Sequence, residues 1–458
     1  MFFEKFIGDK AFYKRLLSVA VPIMIQNAVT NCVSLLDNVM VGATGTEAMS
    51  GVSIVNQFIF VFNLLSFGVI SAGSIFSAQF FGKGDDDGVR RTFRFKLIMG
   101  VAAAALSVGF LILFGDGLIG TFLNEGSDGD LALALDEGGR YLRVMLFGLL
   151  PYILTQVYAS TLREGGVVKV PMTAGVVAVL TNLVFNYIFI FGKLGAPEMG
   201  AVGAGVATVI SRFAELAVVV LWSHLHLKRL PWLAGAYRSL RVGKELFIRI
   251  LGKGLPLLAN EFLWALGITF RNQCYSERGL EAVAALNIAS TVINVFAVMY
   301  MSVGHALTIT VGSLLGAGRL EEARISARRT IAFSVFCGTV MGLLVAALSG
   351  LFPGFYNTAD SVKELASFMM IVTGVSLPFA AFCHSSYFAL RSGGKVWVTL
   401  IFDSGFVWLV VFPIAFVLSR FTALDIRVIY AVCQLTDVLK VAFGLFLLEK
   451  VDWVRRLV

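Results

Sequence analysis

Charge is scarce in this chain. Asp, Glu, Lys and Arg make up only 14% of its 458 residues, against roughly 25% in soluble domains, while 58% are hydrophobic and the mean hydropathy is +0.84. Such a balance excludes an ordinary soluble protein and predicts an all-α polytopic membrane protein. Histidine is rare as well, with 4 residues, and the 5 cysteines (Cys32, Cys274, Cys337, Cys383 and Cys433) lie far apart, each inside an apolar run. That spacing fits neither a zinc site nor a disulfide framework, so no metal is expected and the thiols read as small buried side chains. A GxxxxGK[ST] phosphate loop, an HExxH and a GxSxG motif are missing too, as is any soluble segment large enough to bind a nucleotide. ATP hydrolysis and membrane-enzyme chemistry are therefore set aside, no organic cofactor is expected, and an ion gradient is the natural energy source.

What is present is a series of apolar runs long enough to cross a bilayer. Six fall near 16–41, 48–80, 95–115, 139–162, 170–192 and 200–223, and six more near 247–274, 282–315, 331–352, 365–390, 396–419 and 427–449. The expected organisation is an N-terminal six-helix lobe over 1–223, a cytoplasmic interlobe loop over 224–246 and a C-terminal six-helix lobe over 247–458. The first run follows Glu4, Lys5, Asp9, Lys10, Lys14 and Arg15 without a small-residue cleavage site, so it reads as a spanning helix and not a removed signal peptide.

The net charge of +8 comes from basic residues in short runs between apolar stretches, which is a topology signal and not a nucleic-acid surface. Alternate connectors carry Lys83, Arg90, Arg91 and Arg94, then Arg163 and Lys169, then Lys228, Arg229, Arg238 and Arg241, then Arg319, Arg324, Arg328 and Arg329, then Arg391 and Lys395, and finally Arg455 and Arg456. These belong on the cytoplasmic side, which makes both termini cytoplasmic in the plasma (inner) membrane.

The two sets of runs repeat one another. An offset of 256 − 22 = 234 pairs Pro22 with Pro256, Arg15 with Arg249, Ala48 with Ala282, Gly82 with Gly316, Gly84 with Gly318 and Arg90 with Arg324, all without a gap. Leu162-Arg163-Glu164-Gly165-Gly166 then matches Leu390-Arg391-Ser392-Gly393-Gly394 at 391 − 163 = 228. Six is an even number, so the two lobes share one orientation and are expected to relate by a pseudo-two-fold axis along the membrane normal, an alternating-access design.

Asp37 stands within the first apolar run, where a carboxylate costs about 2.5–3.5 kcal/mol on insertion scales. Either it lies on an ion or substrate pathway, or it snorkels from the outer end of its helix. Asp37-Asn38-Val39-Met40-Val41-Gly42, Gly254-Leu255-Pro256 followed by Glu261, the Gly82-Lys83-Gly84 and Gly316-Ala317-Gly318 turns, and Leu162-Arg163 with Gly166 together resemble the multidrug and toxic compound extrusion (MATE) family, within the group that includes polysaccharide and lipid-linked precursor flippases. The resemblance covers nearly the whole chain. It implies two lobes enclosing cavities, export of organic, often cationic, small molecules, and protons or sodium ions as the driving species.

By the same resemblance, the coupling-cation site of the first lobe maps onto Asp37, Asn182, Asn186 and Thr208. Where many of the family carry Asp, this chain has Asn186, which removes a negative charge and leaves Asp37 alone to couple. Asn182 and Asn186 share a helix face and suit either cation coordination or helix–helix hydrogen bonding.

In the second lobe Glu261 lies five residues past Pro256, where it can bind a cationic substrate when ionised or form a structural pair with Arg271, Lys440 or another cation. His384 and Asp403 are candidates for a proton-accepting pair on neighbouring helices, with packing and interfacial roles as their alternatives. Asp437 and Lys440, three apart, are expected to pair along one helix. Phe185, Tyr187, Trp264 and Tyr300 are candidate cleft aromatics. The expected partners are the lipid bilayer and a small organic cation, with the chain a monomer. A flippase for a large anionic lipid, which calls for several deep cations in one lobe, and an exporter of a specific metabolite are the alternatives.

Overall fold

The computed structural model describes residues 6–42, 45–122 and 131–458, with side chains for all of these except 32–39, 46, 47, 122 and 131. Twelve long helical stretches follow one another with no strand among the described residues: α1 (Lys10–Gly42), α2 (Thr46–Lys83), α3 (Asp86–Phe122), α4 (Leu131–Glu164), α5 (Lys169–Ile190), α6 (Gly200–Leu225), α7 (Lys244–Ser276), α8 (Leu280–Gly316), α9 (Leu320–Leu348), α10 (Asp360–Ser392), α11 (Val396–Phe421) and α12 (Ile426–Lys450). Helices are what a bilayer permits, since each backbone N–H and C=O must find its partner within the segment. Ten of them, α2 to α6 and α8 to α12, are long and apolar enough to cross a membrane. Even the 22 residues of α5 span about 33 Å at 1.5 Å per residue. Cys274, Cys337, Cys383 and Cys433 are free and buried, as their apolar settings suggested.

The chain forms two compact units. One comprises Ile25–Ser77 and Asp85–Gly254, the other Met1–Met24, Ala78–Gly84 and Leu255–Val458. Within the first, α4 packs on α3 and α6, and α6 on α5. Within the second, α10 is the central helix, packed on α8, α9 and α12. Close approach is bought by small residues: a Cβ added at Gly342 of α9 would stand 2.1 Å from the Gly374 carbonyl oxygen of α10, so any side chain there would force the helices apart.

α11 is not a uniform α-helix. Ile401–Gly405 and Val407–Val411 wind with the wider i→i+5 pattern before α-geometry resumes at Phe412, with Pro413, which has no N–H to give, in the first turn. Asp403 and Ser404 sit inside the first of these wide turns.

The connector after α6 is more than a loop. Arg94 of α3 donates from Nε to the Ala236 carbonyl (2.7 Å), from Nη2 to Gly235 (3.0 Å) and from Nη1 to Arg241 (3.2 Å). Arg90, one turn earlier, reaches the carbonyls of Trp232 and Pro231, both at 3.1 Å. Trp232 is 1% exposed and packs on Phe93, ring centroids 5.2 Å apart. Tyr158 of α4 hydrogen-bonds His224 (3.0 Å) and Tyr237. Gly235, at φ +75°, makes the turn that presents its carbonyl to Arg94. Arg90 and Arg94, legible in the sequence as orientation signals, therefore also clamp the connector to α3.

Arg94→Ala should lower the stability of the purified protein by about 2 kcal/mol, since charge-assisted hydrogen bonds to buried carbonyls are lost. Thermal unfolding in detergent would report it, together with faster proteolysis between residues 230 and 243. An unchanged midpoint and cleavage rate would show that the clamp carries no weight.

Candidate functional site

In the first unit a chain of polar side chains crosses from α5 to α6. Asn186 donates from Nδ2 to Asn182 Oδ1 at 3.1 Å, and Asn182 donates from Nδ2 to Thr208 Oγ1 at 3.1 Å. The two asparagines lie one turn apart and are buried. The helices come close enough because α6 carries Gly203, where a Cβ would be 2.7 Å from the Phe189 carbonyl carbon and oxygen. Three of the four residues proposed for the cation site are thus brought together. Asp37 lies within α1, and its side chain falls outside the described residues.

Charged pairs also lie deep in this unit. Lys96 of α3, 0% exposed, places Nζ 2.9 and 2.8 Å from the two carboxylate oxygens of Glu164 on α4, and 3.3 Å from both Ser160 Oγ and Thr161 Oγ1. Ser77 of α2 donates to the same carboxylate. Gly73 makes room, since a Cβ there would be 2.7 Å from the Lys96 side chain. Arg212 pairs with Glu215 at 3.4 Å and lies 4.9 Å from the Tyr152 ring centroid. Sequence reading missed the Lys96–Glu164 pair because the partners are 68 residues apart. Its one signal was a lysine opening an apolar run.

In the second unit the centre is Asn260, 1% exposed on α7. Its Nδ2 donates to Asp403 Oδ2 (3.2 Å) and to Tyr387 Oη (3.4 Å), and its Oδ1 accepts from the Ser404 N–H (3.3 Å) and Oγ (2.7 Å). Asp403 Oδ1 is 2.9 Å from Lys440 Nζ of α12. Glu261 Oε1 accepts from Tyr387 Oη at 3.4 Å, and Arg391 Nη1 donates to Tyr387 Oη at 3.5 Å. One hydrogen-bonded network therefore links α7, α10, α11 and α12 through two carboxylates and two cations.

Several sequence expectations change here. Lys440 does not pair along its own helix with Asp437; its partner is Asp403, because the wide turn of α11 carries that carboxylate to α12. Glu261 meets neither Arg271 nor Lys440 in a hydrogen bond, but Tyr387. Arg391, read as a connector residue, is buried in the last turn of α10. His384 makes no hydrogen bond to Asp403 among the described residues: it packs instead among Tyr300, His305 and Phe388, centroids 5.7, 6.4 and 4.9 Å away. Asn260, Tyr387, Ser404 and Lys440 are the participants that sequence reasoning missed or misassigned. Lys440 gave a signal as a cation within an apolar run, and Asn260 as the neighbour of Glu261 in another.

Comparison with known proteins agrees with this architecture. A family model described as MatE matches residues 22–188 and 256–417, one segment in each half of the chain. The chain is 25% identical over 415 residues to the probable multidrug resistance protein NorM of Thermotoga maritima, covering 90% of this chain and 87% of that protein. It is 28% identical over 377 residues to the multidrug resistance protein MdtK of Pectobacterium atrosepticum, covering 79% and 78%. A solved structure of a multidrug resistance MATE family transporter of the MOP superfamily in an outward-facing conformation aligns over 97% of each chain, with TM-score 0.86 and 20% identity, and so shares the fold.

Lys96→Met should destabilise the protein by about 3 kcal/mol, because Glu164 is left charged and unpaired in the interior. Lys96→Met with Glu164→Gln should recover most of that loss. A double-mutant cycle read by thermal unfolding checks both, and equal losses in the single and double variants would refute the pairing argument.

Proposed function

The chain belongs to the MatE family, and on that premise we propose that it is a cation-coupled antiporter that exports small organic compounds across the cell membrane by alternating access. The observation that carries the reading is the Asn182–Asn186–Thr208 chain: three polar side chains tied across α5 and α6 inside an apolar bundle. Amide and hydroxyl oxygens are suitable ligands for a hard cation or its water, and Asp37 of α1 supplies the charge that such a site needs. With Asn at 186, coupling depends on one carboxylate in this lobe.

In this reading a proton or sodium ion taken up from outside neutralises Asp37. α1, weakened at Pro22 where a backbone hydrogen bond is missing, then changes its bend, and the lobe contracts and expels substrate. Glu261 and Asp403 form the acidic part of a second site that meets the positive group of the exported compound, while His384 stands aside as a packing residue. The chain is a multi-pass membrane protein. The basic connectors support cytoplasmic termini, and a single chain holding both halves of the repeat supports action as a monomer. Buried cations are more numerous than a sequence count suggests, but Lys96 and Lys440 each pair with a carboxylate, Arg94 is held by backbone carbonyls and Arg391 by the Tyr387 hydroxyl, which favours this export over flipping a large anionic lipid.

Efflux of ethidium from reconstituted vesicles under separate pH and sodium gradients tests the proposal. One gradient should drive export in the wild type, and Asp37→Asn should cut the coupled rate about tenfold or more with expression unchanged. Full coupled export by Asp37→Asn would refute the role of this residue.

A further inference from the structure

The Lys440–Asp403 pair has a use beyond stability. Lys440 Nζ is 2.9 Å from Asp403 Oδ1, and the other carboxylate oxygen is taken by Asn260. The ammonium also lies 5.3 and 5.9 Å from the ring centroids of Phe402 and Phe406, so its surroundings are polar on one side and aromatic on the other. The two side chains keep 11% and 20% of their surface exposed. Lys440 stands 440 − 212 = 228 residues beyond Arg212, the same spacing that separates Arg391 from Arg163. Arg212 finds its carboxylate, Glu215, on its own helix. At that spacing from Glu215 stands Phe443, and Lys440 turns to the neighbouring α11 instead.

The unit's other deep charges balance as well. Glu261 is reached through Tyr387 by Arg391, and Asp437 has Lys440 and Arg271 as its cationic neighbours. The carboxylates Glu261, Asp403 and Asp437 are thus equalled in number by the cations Arg391, Lys440 and Arg271. A site of this kind offers no net attraction to a bare positive charge. A permanent monocation that took Asp403 would leave the Lys440 ammonium unpaired in low-dielectric surroundings. A zwitterion avoids this: its positive group takes Asp403, its carboxylate takes Lys440, and one ion pair becomes two with no charge stranded.

We propose that Lys440 sets the charge class accepted by the second lobe, favouring compounds that carry a carboxylate beside their positive group over permanent monocations. The proposal rests on the export reading above, but binding alone can test it. Rhodamine B, a zwitterion at neutral pH, and its ethyl ester, a monocation, share one fluorophore and differ only in the free carboxylate. Fluorescence polarisation on the purified full-length protein should show the wild type binding the acid about tenfold more tightly than the ester, a difference of about 1.4 kcal/mol.

Lys440→Arg should keep that preference and Lys440→Met should abolish it. Because Lys440→Met leaves Asp403 without its partner, Lys440→Met with Asp403→Asn is measured alongside and should bind both dyes alike. Equal affinities in the wild type, or a preference for the acid that survives in the double variant, would overturn the proposal. Gradient-driven export of both dyes is measured on the same proteins. Absent export with the binding preference intact supports this proposal while refuting the antiport reading, and export without a preference does the reverse.

Discussion

A charge removed from water must be matched within the fold, and most of what distinguishes this chain follows from that requirement. An ion with no partner in low-dielectric surroundings is penalised by several kcal/mol, so the deep cations find compensating groups: backbone carbonyls for Arg94, and carboxylates of neighbouring helices for Lys96 and Lys440. Lys96 joins α3 to α4, and Lys440 joins α12 to α11. Around each pair, hydroxyl and amide groups complete the coordination: Ser77, Ser160 and Thr161 in one case, Asn260 in the other. Apolar burial between helices and lipid tails is nearly indifferent, so these polar contacts and the glycine contacts carry the specificity of packing.

The two units spend their polar residues differently. The first keeps a neutral chain of amides and a hydroxyl at the α5–α6 contact and places its ion pairs elsewhere. The second gathers its charges into one network spread over four helices. Amide and hydroxyl oxygens can solvate a small ion but carry no charge to balance it, which is why the proposed coupling role also calls on Asp37. A network of matched charges suits a larger compound, because opening it exposes donors and acceptors in several directions at once. The division of labour proposed above, coupling in the first unit and substrate binding in the second, rests on this contrast in composition.

The fold was largely legible in the chain itself, because hydropathy and the repeat at offsets of 234 and 228 both mark helices. Ends were less so: α3 was expected near 95–115 and runs Asp86–Phe122, and α4 was expected near 139–162 and runs Leu131–Glu164. Hydropathy falls where charged residues begin, whereas the helix continues until its backbone loses partners. The site was legible only in its isolated acids. Glu261 and Asp403 announced themselves by their apolar surroundings, but Asn260 meets Asp403 across 143 residues and Tyr387 meets Glu261 across 126, distances over which no local spacing rule operates. The same blindness made Lys440 look like a partner for Asp437, its nearest acid in sequence, and made buried Arg391 look like a surface marker.

The wide turns of α11 give this unit an unusual dependence on residue count. An α-helix advances about 100° per residue, and a wide turn accommodates one residue more than the α-helical turn it replaces without disturbing the helix on either side. The stretch from Ile401 to Val411 therefore stores surplus length. Removing one residue from the first wide turn lets ordinary α-geometry return there while the helix on either side stays in place, and Asp403 then turns away from Asn260 and Lys440. The charge network is in that sense a property of helical phase: the residues that compose it are necessary, and so is the spare residue that aims them.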